Sequence, residues 1–207
     1  MSVNIQNSNK MPKIIAICGA KRSGKDVLAH HLVKNYNYNK VSFATPLKLA
    51  VKNLFNFDDE QVGIGEDNGN DKKDIIDENW GITPRAALQF IGTEIMQDKI
   101  QELLPNIKKN FFANTLKNYI NNTAIEQKIV ISDLRFLHEY EMLLSDLNIK
   151  VEDILIIRVI RPSNISTDCS EPHISEQEYM KIPYDIILIN NGTIDDYISK
   201  FENIIKI

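Results

Sequence analysis

The chain of 207 residues carries a formal net charge of −4 and has a pI near 5.6. Its length predicts one globular domain with insertions rather than two independent domains. The acidic balance leaves no broad cationic surface for a polyanion, which argues against nonspecific nucleic-acid binding and predicts that any phosphate contact is local.

The first third of the chain predicts an alternation of strands and helices. Residues 13–18 form a short apolar run that ends at a glycine, and a helical repeat of apolar residues follows the next loop. Residues 41–44 predict a second strand, with Thr45 as the N-cap of the next helix and Pro46 at its first position. The buried stripe expected on that helix is Leu47, Ala50, Val51 and Leu54.

The middle of the chain predicts a helical insertion. Residues 58–79 lose periodicity and collect acids, Gly and Asn, so we expect an exposed loop without fixed structure. Thr83 and Pro84 repeat the pattern of an N-cap and a first helical turn, and they open a long predicted helix. A further helix is expected over 110–122.

The last third returns to alternating strands and helices. Strands are expected at 128–132, 154–160 and 185–190, and a final helix begins at the box-like pair Thr193 and Asp196. Short, almost continuously apolar strands separated by helices are typical of a parallel sheet covered on both faces. The sequence therefore predicts an α/β fold with a doubly wound parallel sheet and a site at the carboxyl ends of its strands.

One motif points to phosphate binding. Residues 19–25 follow the G-x-x-x-x-G-K pattern between a predicted strand and a predicted helix, where backbone N–H groups and the helix N-terminus attract phosphate. The usual Ser or Thr after the lysine is replaced by Asp26. A carboxylate is also a hard oxygen ligand for magnesium, so the site need not be broken, and its dependence on the metal should be strong.

A second carboxylate stands where a metal-orienting residue is expected. Asp133 follows the strand predicted at 128–132, and Arg135 comes two residues later. Two interpretations remain open at this point, because Asp133 could instead cap the next helix, with Arg135 on the surface beside it.

Several short blocks follow one another along most of the chain after residue 12. The blocks are GAKRSGKD, FATPLK, TPRAALQFIGTE, ISDLRFLHE, IRVIRP, SEPHISE and DIILINNGT. Their joint order resembles the deoxynucleoside monophosphate kinases of large DNA viruses and phages, a family in which the replacement of GK[ST] by GKD recurs.

This resemblance implies a P-loop kinase fold with five parallel strands in the order 2-3-1-4-5. It also implies a helical acceptor-binding insertion at about 45–125 and a lid at about 161–183. The corresponding domain expectation is a flexible N-terminus over 1–11 and a single P-loop kinase domain over 12–207.

Matching positions in these blocks supply the expected site residues. The resemblance implies catalytic roles for Lys25, Asp133 and Arg161, and a metal site, with contacts through water, at Asp26 and Asp133. The residues expected to bind ATP are Gly19, Ala20, Lys21, Arg22, Ser23, Gly24, Lys25, Asp26, Asn191 and Gly192. The residues expected to bind the acceptor are Lys48, Arg85, Gln89, Arg135, Glu139, Glu171, His173 and Glu176.

Some of these residues have a plainer interpretation. Arg85 and Gln89 lie one turn apart and could hold the acceptor's phosphate and base edge, or could form the wet face of an amphipathic helix. Glu171, His173 and Glu176 could equally belong to a solvated loop, and Arg22 to solvent. Arg158 is either a second phosphate clamp or a strand residue that faces outward.

The expected reaction is transfer of the γ-phosphoryl of ATP, with Mg²⁺, to a deoxynucleoside 5′-monophosphate for DNA synthesis. Two alternatives remain: a small-molecule kinase similar to animal-type phosphomevalonate kinase, and a non-kinase P-loop ATPase or regulatory nucleotide-binding protein. The latter is disfavoured by the absence of an N-K-x-D motif.

The remaining expectations concern location and partners. Residues 1–10 are polar with no apolar signal core, and no apolar stretch is long enough to cross a bilayer. Cys18 and Cys169 lie far apart and predict neither a disulfide framework nor a zinc site. We therefore expect a soluble cytoplasmic enzyme, in the host cytoplasm if viral, without nucleic-acid or membrane partners, and the sequence leaves formation of a homodimer open.

Overall fold

The computed structural model describes residues 11–64, 72–124, 126–162 and 178–205. Its strands are β1 (Ile14–Cys18), β2 (Asn39–Val41), β3 (Ile129–Leu134), β4 (Ile154–Ile160) and β5 (Ile186–Ile189). Its α-helices are α1 (Lys25–Tyr36), α2 (Thr45–Phe55), α3 (Asp59–Val62), α4 (Pro84–Gln89), α5 (Phe111–Tyr119), α6 (Leu137–Ser145) and α7 (Ile194–Ile205).

The five strands form one parallel sheet in the order β2-β3-β1-β4-β5. The central strand β1 has β3 and β4 as neighbours, with Ile15 opposite both Val130 and Leu155. All five residues of β1 are buried, as expected of a strand with helices on both faces. This topology confirms the predicted α/β fold and strand order.

The sheet packs against α1 and α7 in one apolar cluster. α1 contributes Leu28 and Leu32, and α7 contributes Tyr197 and Phe201, all of them almost fully buried. α7 begins as predicted, because the Asp196 N–H donates to the Thr193 hydroxyl at 3.1 Å and the Thr193 N–H donates to the Asp196 carboxylate at 3.0 Å. The apolar periodicity of the sequence therefore located this core correctly.

The chain divides into two compact units. One comprises Met1–Ser42 with Lys117–Ile207 and contains the sheet, and the other is Phe43–Leu116. The expected single domain with an insertion at about 45–125 stays a prediction.

The unit Phe43–Leu116 is helical and has its own small core. One cluster of buried apolar residues in this unit consists of Val51, Phe57, Val62 and Ala87. The Thr83 hydroxyl accepts from the Ala86 N–H at 3.2 Å, which confirms the predicted N-cap. Beyond α4 the same helix continues in π geometry over Phe90–Asp98, so the predicted long helix exists but has more residues per turn in its second part.

The boundaries expected for the second strand and for the helix after it were wrong. The second strand is Asn39–Val41 rather than 41–44, because β2 pairs with β3 through those earlier residues while Phe43 is buried in a turn. The next helix begins at Thr45 itself, with Ala44 at the N-cap. Of the expected stripe, Ala50 and Leu54 are exposed rather than buried, Leu54 at 67%. Apolar character alone did not show which side chains a neighbouring element covers.

The segment 58–79 also contains more structure than expected. Asp58 and Gln61 form a reciprocal capping box at the start of α3, with hydrogen bonds of 2.7 and 2.8 Å. A single 3₁₀ turn follows at Lys72–Asp74. Local capping chemistry in this segment outweighed its lack of apolar periodicity.

Within the described parts of the chain, no helix is both long and apolar enough to cross a membrane.

Candidate nucleotide-binding site

The loop between β1 and α1 depends on two glycines in positive-φ conformations. Gly19 has φ +147°, and a Cβ there would lie 2.4 Å from the Val159 carbonyl oxygen. Gly24 has φ +110°, and a Cβ there would lie 2.6 Å from Nδ2 of Asn190. A side chain at Gly19 is excluded by conformation and by the backbone it would meet, whereas one at Gly24 is strained by conformation and would have to displace the Asn190 amide.

Residues from the C-terminal part of the sheet unit hold this loop in place through hydrogen bonds, which we call the brace of the loop. Asn190 Nδ2 donates to the Ser23 carbonyl oxygen at 2.9 Å, and the Tyr197 hydroxyl donates to the Gly24 carbonyl oxygen at 3.2 Å. The Ser23 hydroxyl is buried without a hydrogen-bond partner among the residues described. The sequence did not reveal this brace, because Tyr197 is one of several apolar positions of its helix.

Lys25 lies at the N-terminus of the 12-residue helix α1 and is only 7% exposed. Its ammonium group donates to the carbonyl oxygens of Gly19 at 2.8 Å and Ala20 at 2.5 Å. These contacts place the cation within the loop, where the partly positive helix N-terminus also attracts an anion. The arrangement can hold a polyphosphate.

Asp26 is held by side chains from β2 and β3. Its Oδ1 accepts from Lys40 Nζ at 2.7 Å and from the Ser132 hydroxyl at 3.0 Å. Burial alone would raise the pKa of Asp26, but the charge and hydrogen bond of Lys40 and the bond from Ser132 outweigh it and lower the pKa. The carboxylate is therefore ionised at neutral pH. Lys40 was not among the residues expected from the sequence.

Asp133, next to Ser132 in β3, is the second carboxylate of this region. Its Oδ2 accepts from the Ser42 hydroxyl at 2.5 Å. The alternative interpretation, in which Asp133 caps the following helix, is wrong because Phe136 is the N-cap residue of α6.

The donor set at these two carboxylates suits magnesium. Mg²⁺ in phosphoryl-transfer sites takes one or two protein carboxylates, with water and substrate phosphates completing its shell. Asp26 and Asp133 supply two carboxylates beside the hydroxyls of Ser132 and Ser42. No cluster of three or more His, Cys, Asp or Glu side chains suited to a metal occurs among the described residues, so a self-sufficient protein cage is not present there.

Glu139 shapes the turn between β3 and α6. Its Oε2 accepts from the backbone N–H groups of Arg135 at 2.8 Å and Phe136 at 3.0 Å, and the residue is only 5% exposed. Burial, followed by the nearby charge of Asp133, raises the pKa of Glu139 to about 8. The half-buried Arg135 thus has a fixed backbone, and the acceptor roles expected of both residues stay predictions.

Arg158 contacts the chain that returns into β5. Its Nη2 donates to the carbonyl oxygens of Tyr179 and Met180, each at 3.2 Å, and to that of Ile182. Its guanidinium lies 4.3 Å from the ring centroid of Tyr184. Arg158 therefore does not face outward as a plain strand residue, and its role as a second phosphate clamp stays a prediction.

Of the residues expected in the lid segment, the structure describes Arg161 but not the three acceptor candidates. Arg161 is described and exposed, directly after β4. Glu171, His173 and Glu176 lie outside the described residues, as does most of the segment expected to form the lid. The role of Arg161 stays a prediction.

The turn before α7 contains the other residues expected at ATP. Asn191 is exposed, and its Oδ1 accepts from Lys200 Nζ at 2.5 Å. Gly192 lies beside the Asp196 carboxylate, since a Cβ there would come within 2.8 Å of Oδ2. Lys21 and Arg22 are exposed in the loop. The contacts of these four residues with ATP stay predictions.

The acceptor candidates of the unit Phe43–Leu116 make contacts inside that unit. Arg85 forms an ion pair with Asp74, and Gln89 is exposed one helical turn further on. Lys48 Nζ donates to the Gly63 carbonyl oxygen at 2.7 Å. Their binding roles also stay predictions.

Comparison with known proteins identifies the family. The family model described as deoxynucleotide monophosphate kinase matches residues 13–68 and 56–201. The chain belongs to the deoxynucleotide monophosphate kinase family. This membership confirms the resemblance drawn from the sequence blocks, and it identifies the chain as a kinase with ATP as the phosphate donor.

Two viral relatives of this kinase family align over almost the whole chain. A protein of Acanthamoeba polyphaga mimivirus, named provisionally as a deoxynucleotide monophosphate kinase, is 35% identical over 193 residues, covering 90% of this chain and 93% of its own. The deoxynucleotide monophosphate kinase of Enterobacteria phage T4 is 22% identical over 259 residues, covering 94% of this chain and 99% of its own. These matches do not favour a phosphomevalonate kinase or a non-kinase ATPase.

Among solved structures, TT1252 from Thermus thermophilus is 15% identical at a TM-score of 0.45, covering 95% of this chain and 98% of its own. The fold assignment of this kinase rests on the strand order and register described above.

Proposed function

We propose that this kinase transfers the γ-phosphoryl group of ATP to the 5′-phosphate of a deoxynucleoside monophosphate, with Mg²⁺, and yields the deoxynucleoside diphosphate and ADP. Family membership supports the reaction class. The single structural observation that carries the proposal is the cradle formed by residues 19–25, with its buried lysine at the N-terminus of α1 and an ionised Asp26 beside it.

Lys25 would bind the β- and γ-phosphates of ATP. Its partners include the loop carbonyls of Gly19 and Ala20, which are neutral acceptors. A phosphate oxygen carries charge and forms the stronger hydrogen bond, so exchange of these partners for phosphate is favourable. The backbone N–H groups of the loop would supply the remaining donors.

Asp26 and Asp133 are the residues that would hold Mg²⁺, in part through water. The ion, when bound, neutralises charge on the β- and γ-phosphates as the phosphoryl group moves. The Ser132 and Ser42 hydroxyls donate to the two carboxylates and fix their orientation.

The acceptor needs no strong general base. Its 5′-phosphate has a second pKa near 6, so at neutral pH an oxygen lone pair can attack the γ-phosphorus while the bond to ADP breaks. The work left to the protein is alignment and charge neutralisation. Arg85 and Arg135 are the proposed phosphate ligands of the acceptor, and Arg161 is proposed to contact the transferring group.

Base recognition and closure complete the proposal. The Gln89 amide is the candidate for reading the base edge, with Lys48 and Glu139 supporting the acceptor site. Glu171, His173 and Glu176, which lie outside the described residues, stay candidates for binding the acceptor. The lid expected at about 161–183 would exclude water that hydrolyses ATP. Assembly into a homodimer stays an open prediction.

A coupled ADP-release assay tests the function. It offers dTMP, dGMP, dCMP, 5-phosphomevalonate or no acceptor, with the Lys25→Met variant as the inactive control. We expect magnesium-dependent turnover with at least one deoxynucleotide and none with 5-phosphomevalonate. Equal ADP release without any acceptor would support an ATPase instead, and turnover only with 5-phosphomevalonate would replace the nucleotide by that substrate.

A further inference from the structure

Lys40 makes a direct contact with the residue that distinguishes this phosphate loop. Its ammonium lies 2.7 Å from Asp26 Oδ1, and the Ser132 hydroxyl donates to the same oxygen at 3.0 Å. Both hydrogen bonds that the described residues make to this carboxylate therefore use one oxygen. The other oxygen remains available to a cation or to its water shell.

The strand β2 positions this lysine. β2 pairs in parallel with β3, with Lys40 opposite Val130, so its backbone position is set by the sheet. Ser42, two residues after Lys40, donates to Asp133. Because side chains two residues apart point to the same side of an extended chain, one stretch serves both carboxylates of the site.

A charge argument gives Lys40 a function. The Ser or Thr usual at position 26 is neutral, whereas a carboxylate adds one negative charge beside the place proposed for a triphosphate. Without Lys40, the cations of the loop, chiefly the buried Lys25, would have to offset this charge and also bind phosphate. The ammonium of Lys40, in contact with Asp26, offsets the repulsion between the Asp26 carboxylate and the triphosphate before any metal is bound.

We infer that Lys40 is a positioning residue of the ATP site. Its charge offsets that of Asp26, so that ATP can bind before the divalent cation does. Its hydrogen bond to Oδ1 also fixes the orientation of the carboxylate, which leaves the other oxygen for the cation or its water shell. This inference rests on the nucleotide-binding part of the proposed function and does not depend on which acceptor is used.

The inference predicts an effect on ATP binding that depends on the metal. In Lys40→Met, metal-free ATP meets an uncompensated carboxylate and should bind about three- to fivefold more weakly, the range expected of an exposed ion pair. With saturating Mg²⁺ the cation itself offsets Asp26, so the loss should shrink to less than about twofold. A lysine that only stabilised the fold would weaken binding equally in both conditions.

The test measures the Kd of ATP by calorimetry, in EDTA and in excess Mg²⁺, with no acceptor present. Lys40→Arg keeps the charge and should restore the wild-type ratio of the two constants. Lys52→Met is the matched control, because Lys52 forms the same 2.7 Å pair with Asp59 at similar exposure, 33% and 58% against 29% and 51%. Thermal melting of each variant confirms that it is folded.

The Asp26→Ser background decides whether Lys40 acts through Asp26. There the metal-free loss caused by Lys40→Met should disappear, because no carboxylate needs to be offset. A loss of the same size in both backgrounds would show that Lys40 contacts phosphate directly and would overturn the inference. It would also be overturned by equal losses with and without Mg²⁺, or by absence of metal-free ATP binding to the wild type.

These measurements separate the inference from the kinase proposal. If the metal-dependent pattern holds while no deoxynucleotide is phosphorylated, the role of Lys40 stands and the acceptor assignment fails. If deoxynucleotides are phosphorylated but Lys40→Met binds ATP like the wild type in EDTA, the kinase proposal stands and the role of Lys40 fails.

Discussion

The guanidinium of Arg85 is paired with the carboxylate of Asp74. Nε and Nη2 of the arginine each donate to a different carboxylate oxygen, Nη2 at 3.1 Å. This two-bond geometry is also the one with which arginine binds a phosphate. The proposed acceptor ligand is therefore engaged by an internal anion that a substrate phosphate would have to replace.

Replacing Asp74 by Asn should lower the acceptor's KM. The neutral amide competes less well than a carboxylate for the Arg85 fork, and a half-exposed ion pair is worth at most about 1 kcal/mol, which corresponds to about fivefold. The measurement is KM for the best deoxynucleotide at saturating ATP. Asp59→Asn, which removes the partner of Lys52, is the control and should leave KM unchanged. A raised KM would mean that Asp74 instead orients Arg85 for the acceptor.

Replacing Arg161 by Ala should depress kcat far more than it weakens ATP binding. The proposed contact strengthens chiefly as charge moves onto the transferring phosphoryl group. Removal of an arginine that makes such a contact lowers kcat by about 10³-fold or more. The experiment compares kcat with the Kd of ATP in the same variant. Equal losses in the two quantities would assign Arg161 to ground-state binding only.

Gly19→Ala should destabilise the fold much more than Gly81→Ala. Both glycines have positive φ, but a Cβ at residue 19 would meet the Val159 carbonyl at 2.4 Å, whereas none of the neighbouring atoms lies within 4 Å of one at residue 81. We expect about 1 kcal/mol from conformation at Gly81, and about 3 kcal/mol at Gly19, where the backbone must also move. Denaturant unfolding of both variants measures the difference, and equal losses would contradict the close approach.

Glu139→Gln should make the fold less sensitive to pH. The carboxyl has a pKa of about 8 in the folded chain against 4.5 ordinarily, so it favours the folded state when protonated. That contribution is complete below about pH 4.5 and is lost as pH rises to 8, at up to about 1.4 kcal/mol per unit. Gln keeps an acceptor for the two backbone N–H groups and does not ionise.

Denaturant unfolding at several pH values compares the free energy of unfolding of Glu139→Gln with that of the wild type. The free energy of unfolding of the variant, relative to that of the wild type, should increase between pH 5 and pH 8.5. Glu141→Gln, an exposed neighbour on the same helix, should show no such trend. A constant difference between wild type and Glu139→Gln across this range would mean that Glu139 is ionised throughout.

The sequence was sufficient for the sheet, the phosphate loop and the family, because these follow from short-range patterns. A glycine-rich loop between an apolar strand and a helix can be recognised from a few consecutive residues. Thr83 and Thr193 likewise cap their helices as expected. The order of the strands came from the resemblance of whole blocks, which reflects a common fold rather than local propensity.

Contacts between distant segments could not be predicted. Lys40 lies between Asn39 and Val41 in a short strand at the sheet edge, where a lysine ordinarily faces solvent. Its contact with Asp26 depends on the register of β2 against β3. Glu139 accepts from the N–H of the N-cap residue Phe136, but Phe has no side-chain oxygen to complete the usual capping motif, so the sequence did not indicate this role. The burial of Glu139 also depends on packing that the local sequence does not contain.

The brace of the phosphate loop has a consequence for the order of folding. Gly19 approaches Val159, and Asn190 and Tyr197 donate hydrogen bonds to the carbonyl oxygens of Ser23 and Gly24, so residues far apart along the chain hold this loop. Contacts between distant segments carry the loop-closure entropy of the chain between them and form slowly. The loop therefore acquires its final form only when the sheet unit as a whole has folded, and it does not form as a local element.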